Sequence, residues 1–168
     1  EWDPEIEYSD PSTSYQPREY LSEEDRRKMR QAAMEYGSVP HYNSLSPEDR
    51  ERYKTLLSQR LQKPKDQVSK KDFIEANSFK YTSMIYVALD AGLRPCEVER
   101  ANVSWFDRDN GQLRIPMEDS SKNRENWVVA LKSETASILS KWIDERGSKE
   151  KYDGSDALWL TQYGNRYN

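Results

Sequence analysis

The chain has 168 residues, of which 35% are hydrophobic and 11% aromatic, a size and composition that suit one domain with a modest core. Its single cysteine, Cys96, excludes an internal disulfide, and with the single histidine it leaves too few ligands for a structural zinc site. The N-terminal sequence is acidic and polar, unlike a signal peptide, and no apolar run approaches the roughly 18 residues of a membrane helix. We therefore expect a cytoplasmic protein with no metal and no membrane partner. The absence of an initiator methionine suggests a piece of a longer chain.

Charge divides the chain into an acidic leader and a basic body. The net charge is −4, but the first 25 residues hold nine acidic residues and one arginine, a net charge of −8, which leaves +4 for the rest. We interpret residues 1–20 as an acidic linker and residues 21–168 as the domain. A mildly basic body permits DNA binding without demonstrating it.

The domain is predicted to begin with three capped helices. Their N-terminal caps are Ser22 with Asp25, Ser46 with Pro47 and Asp49, and Ser69 with Asp72. The first helix is expected to stop at Gly37 and to present Met29, Ala32, Ala33 and Tyr36 on its apolar face. Charged and amide residues dominate residues 43–67, so residues 37–77 are expected to include an insertion between core helices.

The next helix is predicted over residues 78–91, and it leads into a junction that raises a functional question. An apolar stripe of Met84, Val87, Ala88 and Ala91 should be buried, and Gly92 should end the helix. Arg94 then precedes Pro95, which favours the first position of a new short helix. Because the first turn of a helix has unpaired N–H groups and the positive end of the dipole, an arginine there is well placed to hold a phosphate.

After the short helix the pattern changes from helical to alternating. Residues 102–107 and 112–116 flank an Asn110-Gly111 hairpin signal, and residues 126–131 supply a third strand. We predict an α+β fold, mainly helical, with a three-stranded antiparallel sheet and a polar loop between the second and third strands that carries Lys122. A further helix is marked by Thr135, Ile138, Leu139 and Trp142, and residues 157–168 form a short extended piece.

The runs "GLRPCEVERANVSWFDRDNGQLRIP", "SSKNRENWVVAL" and "ALWLTQYGN" together resemble the first half of the catalytic domain of tyrosine recombinases, or phage-type integrases. In that family a helix ends in a Gly-Leu-Arg turn, an acidic residue follows three positions after the arginine, and a β-hairpin presents a lysine. The resemblance covers residues 21–168 apart from the insertion and implies the fold of the DNA breaking-rejoining enzymes. The polar, acid-rich composition is similar to that of haloarchaeal members of the family.

The resemblance assigns roles to individual residues. Arg94 corresponds to the first catalytic arginine, whose planar guanidinium stabilises the charged phosphorane formed when a tyrosine attacks DNA, and Glu97 is placed to orient it. Lys122 corresponds to the hairpin lysine that protonates the leaving 5′-oxygen, with Arg124 and Lys132 as rivals. Arg124 and Arg100 are expected to contact DNA. The competing interpretation treats Arg94 as a helix-start arginine that only pairs with Glu97, and Lys122 as a solvated loop lysine.

The rest of the family's active site is not found in this sequence. Its His-x-x-Arg motif and nucleophilic tyrosine should lie downstream of the "LWLTQYGN" region, whereas the only histidine, His41, lies upstream and is expected to be a turn residue. We expect a C-terminally incomplete catalytic domain, inactive by itself and part of a recombinase that binds double-stranded DNA as a synaptic tetramer. Phosphotyrosine chemistry conserves the bond energy and implies no cofactor. The alternative is a non-catalytic DNA-binding or interaction module derived from an integrase.

Overall fold

The computed structural model describes residues 20–121, 125 and 127–167. Within them, six α-helices and a three-stranded antiparallel sheet confirm the predicted α+β class. The helices are α1 (Glu23–Gly37), α2 (Pro47–Leu61), α3 (Lys70–Glu75), α4 (Lys80–Ala91), α5 (Pro95–Arg100) and α6 (Ser133–Gly147). The strands are β1 (Phe106–Asp107), β2 (Gln112–Ile115) and β3 (Trp127–Ala130). Among the described helices, none is long and apolar enough to cross a bilayer.

The three predicted caps begin the first three helices. In the first, the Asp25 N–H donates to the Ser22 hydroxyl at 3.1 Å and the Ser22 N–H donates back to the Asp25 carboxylate at 3.2 Å. Ser46 accepts from the Asp49 N–H at 3.1 Å. The Asp72 carboxylate accepts from the backbone of Ser69 at 2.6 Å. Each cap pairs an N–H group that the helix itself leaves without a partner.

The buried face of α1 differs from the predicted one. Its buried residues are Ala33 and Gly37, whereas Ala32 is exposed and Met29 and Tyr36 are 39% and 46% exposed. The reason is a close approach to α4: the Thr82 hydroxyl donates to the Ala33 carbonyl at 2.8 Å. A Cβ on Gly37 would lie 2.5 Å from that hydroxyl oxygen. The contact with α4 therefore fixes which face of α1 turns inward.

Helices α4 and α6 are joined at both ends by carboxylates that reach across to the partner helix. Asp90, near the end of α4, accepts from the Lys132 N–H at 3.3 Å and from the Thr135 hydroxyl at 2.6 Å, at the start of α6. Glu145, near the end of α6, accepts from the Phe79 N–H at 2.8 Å at the start of α4. Each helix thus supplies an N-terminal cap for the other, and the pair is fixed as an antiparallel unit.

The sheet has the predicted order β1-β2-β3, but its first strand is shorter than predicted. Gly111 adopts a left-handed φ of +61° in the β1–β2 turn, as the Asn-Gly signal indicates. Residues 102–105 are not strand: Val103–Trp105 form a 3₁₀ turn. The cause is a competing partner, because the Val103 N–H donates to the Asp156 carbonyl at 2.9 Å and Asn102 pairs with Ala157.

Most of the apolar side chains form one core between α4, α5, α6, the sheet and the segment 157–160. Trp105, Trp142 and Trp159 are at most 2% exposed. The predicted stripe of α6 is buried at all four positions, whereas in α4 Val87 and Ala91 are buried and Met84 and Ala88 only partly. Residues 39–76 have a small core of their own, built on Val39, Leu57, Val68, Phe73 and Ala76. That an insertion lies within residues 37–77 stays a prediction.

Candidate functional site

The junction between α4 and α5 has the local geometry that the sequence predicts. Gly92 ends α4 in the left-handed region with φ +64°, which a residue with a side chain rarely adopts. Arg94 is the N-cap of α5 in an extended conformation, and Pro95 takes the first helical position. The Arg94 side chain is exposed. The chain thus turns sharply and leaves a guanidinium in solvent at a helix start.

Glu97 holds this junction from inside the protein. It is 1% exposed, and one carboxylate oxygen accepts the Arg94 N–H at 2.7 Å. The other oxygen accepts the Ser121 hydroxyl at 2.7 Å and the Ser121 N–H at 3.0 Å. Burial opposes the charge, but the hydrogen bonds from Arg94 and Ser121 and the charge of Arg94 outweigh it and lower the pKa of Glu97. The carboxylate therefore stays ionised and joins α5 to the loop after β2.

The contact between Glu97 and Arg94 is made through the backbone. Among the residues that the structure describes, no ion pair joins the Arg94 guanidinium to Glu97 or to another carboxylate. The charge of Arg94 nevertheless lowers the pKa of Glu97, so the two groups interact electrostatically without a direct ion pair. That Arg94 binds a phosphate of DNA stays a prediction.

The remaining predicted site residues are placed as follows. Arg100 is exposed in the last turn of α5, where its guanidinium donates to the Asp119 carbonyl at 3.4 Å. Lys122 and Arg124 lie outside the described residues. The rival Lys132 is exposed at the start of α6. The structure does not test the proposed roles of these four residues, which stay predictions.

The register of the sheet separates Lys132 from the Glu97 contact. Ile115, at the end of β2 that leads toward Ser121, pairs with Trp127 at the start of β3. Lys132 follows the other end of β3, where Ala130 pairs with Gln112. The four residues of β3 thus separate Lys132 from the other end of the sheet, which leads to Ser121. Ser121 directly precedes Lys122 in sequence. Lys132 therefore lies away from the Glu97 contact, and the choice between Lys122 and Lys132 stays a prediction.

His41 has the turn role expected for it. It is exposed, it begins a 3₁₀ turn, and its Nδ1 accepts from the Asn43 N–H at 3.3 Å. Within residues 20–121, 125 and 127–167, no cluster of three or more acidic, histidine or cysteine side chains is arranged to hold a metal ion.

Sequence reasoning missed two residues that fix the two ends of α5. Ser121 is the first, through its two hydrogen bonds to Glu97. Arg166 is the second: its guanidinium donates to the carbonyls of Glu99 and Ala101 at 3.1 and 3.3 Å and to the Asn102 side chain at 2.7 Å, at the C-terminal end of α5. Both contacts join segments far apart in sequence, and no local pattern signals them.

Comparisons with known proteins give one family. The model described as "Phage integrase family" matches residues 54–168. A search of curated proteins finds no match. Among solved structures five chains match, and one of them is titled "Crystal structure of XerA recombinase". That chain is 16% identical with a TM-score of 0.47, and the match covers 86% of the present chain and 64% of the XerA chain.

Proposed function

Because the chain belongs to the phage integrase family, we propose that it is the N-terminal part of the catalytic domain of a site-specific DNA recombinase that works through a phosphotyrosine intermediate. The observation that carries this proposal is the exposed Arg94 guanidinium at a helix start whose backbone is fixed by a buried carboxylate. The present chain spans 64% of the XerA chain that it matches, so the activity is proposed for the whole protein.

In the proposed reaction a tyrosine hydroxyl attacks a phosphodiester of double-stranded DNA. A bond forms between the tyrosine oxygen and phosphorus as the hydroxyl loses its proton to solvent, and the bond from phosphorus to the 5′-oxygen breaks. The pentacoordinate state between them carries extra negative charge on the non-bridging oxygens. Arg94 offers two parallel N–H donors and a permanent charge to those oxygens, which lowers the barrier because the interaction is stronger in the transition state.

The departing 5′-oxygen needs a proton, and we assign its delivery to Lys122. A lysine ammonium is a suitable general acid when it reaches the leaving oxygen only in the DNA complex. Arg100 and Arg124 are proposed to contact the DNA backbone, where guanidinium groups fix register without reading sequence. The DNA-bound protein is proposed to assemble as a synaptic tetramer.

The nucleophile is proposed to come from a part of the protein that this chain does not contain. None of its eleven tyrosines follows a His-x-x-Arg motif in the sequence, and Tyr163, at 78% exposure, precedes the place where the family carries that motif. The present chain is therefore expected to bind DNA without cleaving it.

A covalent-trapping experiment tests this proposal. The whole protein and the present chain are each incubated with a pool of nicked duplexes of randomised sequence, and DNA attached to protein is isolated under denaturing conditions and sequenced. We expect an adduct with the whole protein and none with the present chain. An adduct on a tyrosine of the present chain would refute the placement of the nucleophile. DNA binding without any adduct by the whole protein would favour the non-catalytic module.

A further inference from the structure

We propose that Ser121 is a positioning residue for Arg94 and acts on it through Glu97. The consequence for cleavage rests on the proposed function, but the positioning itself concerns only residues of this chain. Ser121 binds one oxygen of the Glu97 carboxylate with its hydroxyl and its N–H, and Glu97 binds the Arg94 N–H with the other oxygen. The serine thus fixes the orientation of the carboxylate that holds the arginine's backbone.

Helix α5 needs such an external support because it is short. It has six residues, and isolated helices of that length are unstable in water. The position of its first turn, which carries Arg94, is therefore set by contacts with other elements. At this end of the helix the buried Glu97 is the side chain that joins Arg94 to the loop after β2, and Ser121 is its partner in that loop.

The hydroxyl has a specific electrostatic role. A carboxylate that is 1% exposed loses its hydration, and the hydrogen bonds that it accepts must replace the lost water. Without the Ser121 hydroxyl, the oxygen facing the loop retains one donor among the described residues, the Ser121 N–H at 3.0 Å. The carboxylate is then less firmly oriented, and its hydrogen bond to the Arg94 N–H weakens although the substitution changes neither Glu97 nor Arg94.

The effect on catalysis should be selective for the transition state. A guanidinium that is displaced from its productive position still attracts DNA by its charge, but it no longer places two donors on the non-bridging oxygens. Loss of the Ser121 hydroxyl should therefore slow single-turnover cleavage about 10- to 100-fold. The affinity for DNA should change little.

The experiment compares Ser121→Ala with Ser121→Thr, which keeps the hydroxyl, and with Ser148→Ala. Ser148 is the matched control because its hydroxyl also makes a 2.7 Å hydrogen bond, to the Glu145 carbonyl, away from α5. The first readout is amide hydrogen exchange at Arg94, measured by NMR on the present chain. We expect faster exchange in Ser121→Ala and the wild-type rate in the other two variants.

The second readout is single-turnover cleavage by the whole protein of a normal substrate and of one with a methylphosphonate at the scissile position. The methyl group removes the charge that Arg94 neutralises, so the defect of Ser121→Ala should shrink on the methylphosphonate. A purely structural defect would be equal on both substrates and would contradict the proposal.

The outcomes separate this proposal from the proposed function. Absence of cleavage by the wild-type protein would refute the proposed function, whereas exchange at Arg94 would still test Ser121. If Ser121→Ala left Arg94 exchange at the Ser148→Ala rate, the positioning role would be refuted. Should Ser121→Ala fail to fold, Ser121→Thr decides: wild-type exchange at Arg94 supports the role of the hydroxyl, and exchange faster than in the wild type refutes it.

Discussion

The Glu97 carboxylate lies between Arg94 and Ser121 and accepts a hydrogen bond of 2.7 Å from each of them, from the Arg94 backbone and from the Ser121 hydroxyl. The carboxylate is buried, and the Arg94 guanidinium is exposed. The protein therefore holds the Arg94 backbone through Glu97, whereas the Arg94 side chain extends into solvent.

Glu97→Gln should remove a pH-dependent part of the stability. The pKa of Glu97 is lowered in the folded protein, so its contribution is complete above the unfolded value of about 4.3 and is lost as the pH falls through the folded value. At pH 7 we expect the free energy of unfolding of the variant to be about 1–3 kcal/mol lower than that of the wild type, because the amide group of glutamine places a donor against a neighbouring donor. Urea denaturation of both proteins between pH 7 and pH 3 measures this. The difference in free energy of unfolding between the two proteins should shrink as the pH falls. A difference that stays constant below pH 4 would contradict the assignment.

Lys122→Ala in the whole protein should slow cleavage by about 10²-fold or more, the usual scale for a general acid, with little change in DNA affinity. A substrate with a 5′-bridging sulfur has a leaving group that needs no proton, so it should restore the rate. Single-turnover cleavage of both substrates is the measurement. Rescue of Arg124→Ala in place of Lys122→Ala would move the role to Arg124.

Arg166→Ala should destabilise the fold through the C-terminal end of α5. The guanidinium donates to two carbonyls there, and its removal leaves acceptors with fewer partners, at a cost of about 1–3 kcal/mol. Arg108 is the control, since it makes two hydrogen bonds to Asp144 but both side chains are exposed. Arg108→Ala should change the thermal midpoint little. Equal midpoints for the two variants would show that Arg166 does not support α5.

The elements with local signals could be predicted from the sequence. The caps of Ser22, Ser46 and Ser69, the Asn-Gly turn and the apolar stripe of α6 each depend on residues within a few positions of one another. The Gly92 break and the Pro95 helix start are of the same kind. These signals were enough to predict the junction that presents Arg94.

The errors and omissions come from contacts between distant segments. The face of α1 is set by Thr82, 49 residues beyond Ala33, and the strand expected at residues 102–105 is diverted by pairing with Ala157. Ser121 meets Glu97 across 24 residues, and Arg166 meets Ala101 across 65. No periodicity or capping pattern signals a partner at such a separation, so these residues required the structure.

The most direct test of the account is Arg94→Lys in the whole protein, with the thermal midpoint and single-turnover cleavage measured on the same preparation. Lysine keeps the charge but cannot make two parallel hydrogen bonds to a phosphate. Loss of one such transition-state contact costs about 2.7–4 kcal/mol, or roughly 10² to 10³ in rate. The midpoint should barely move because the guanidinium is exposed and forms no ion pair among the described residues. Slow cleavage with an unchanged midpoint is the predicted result, and normal cleavage or an unfolded domain would contradict the account.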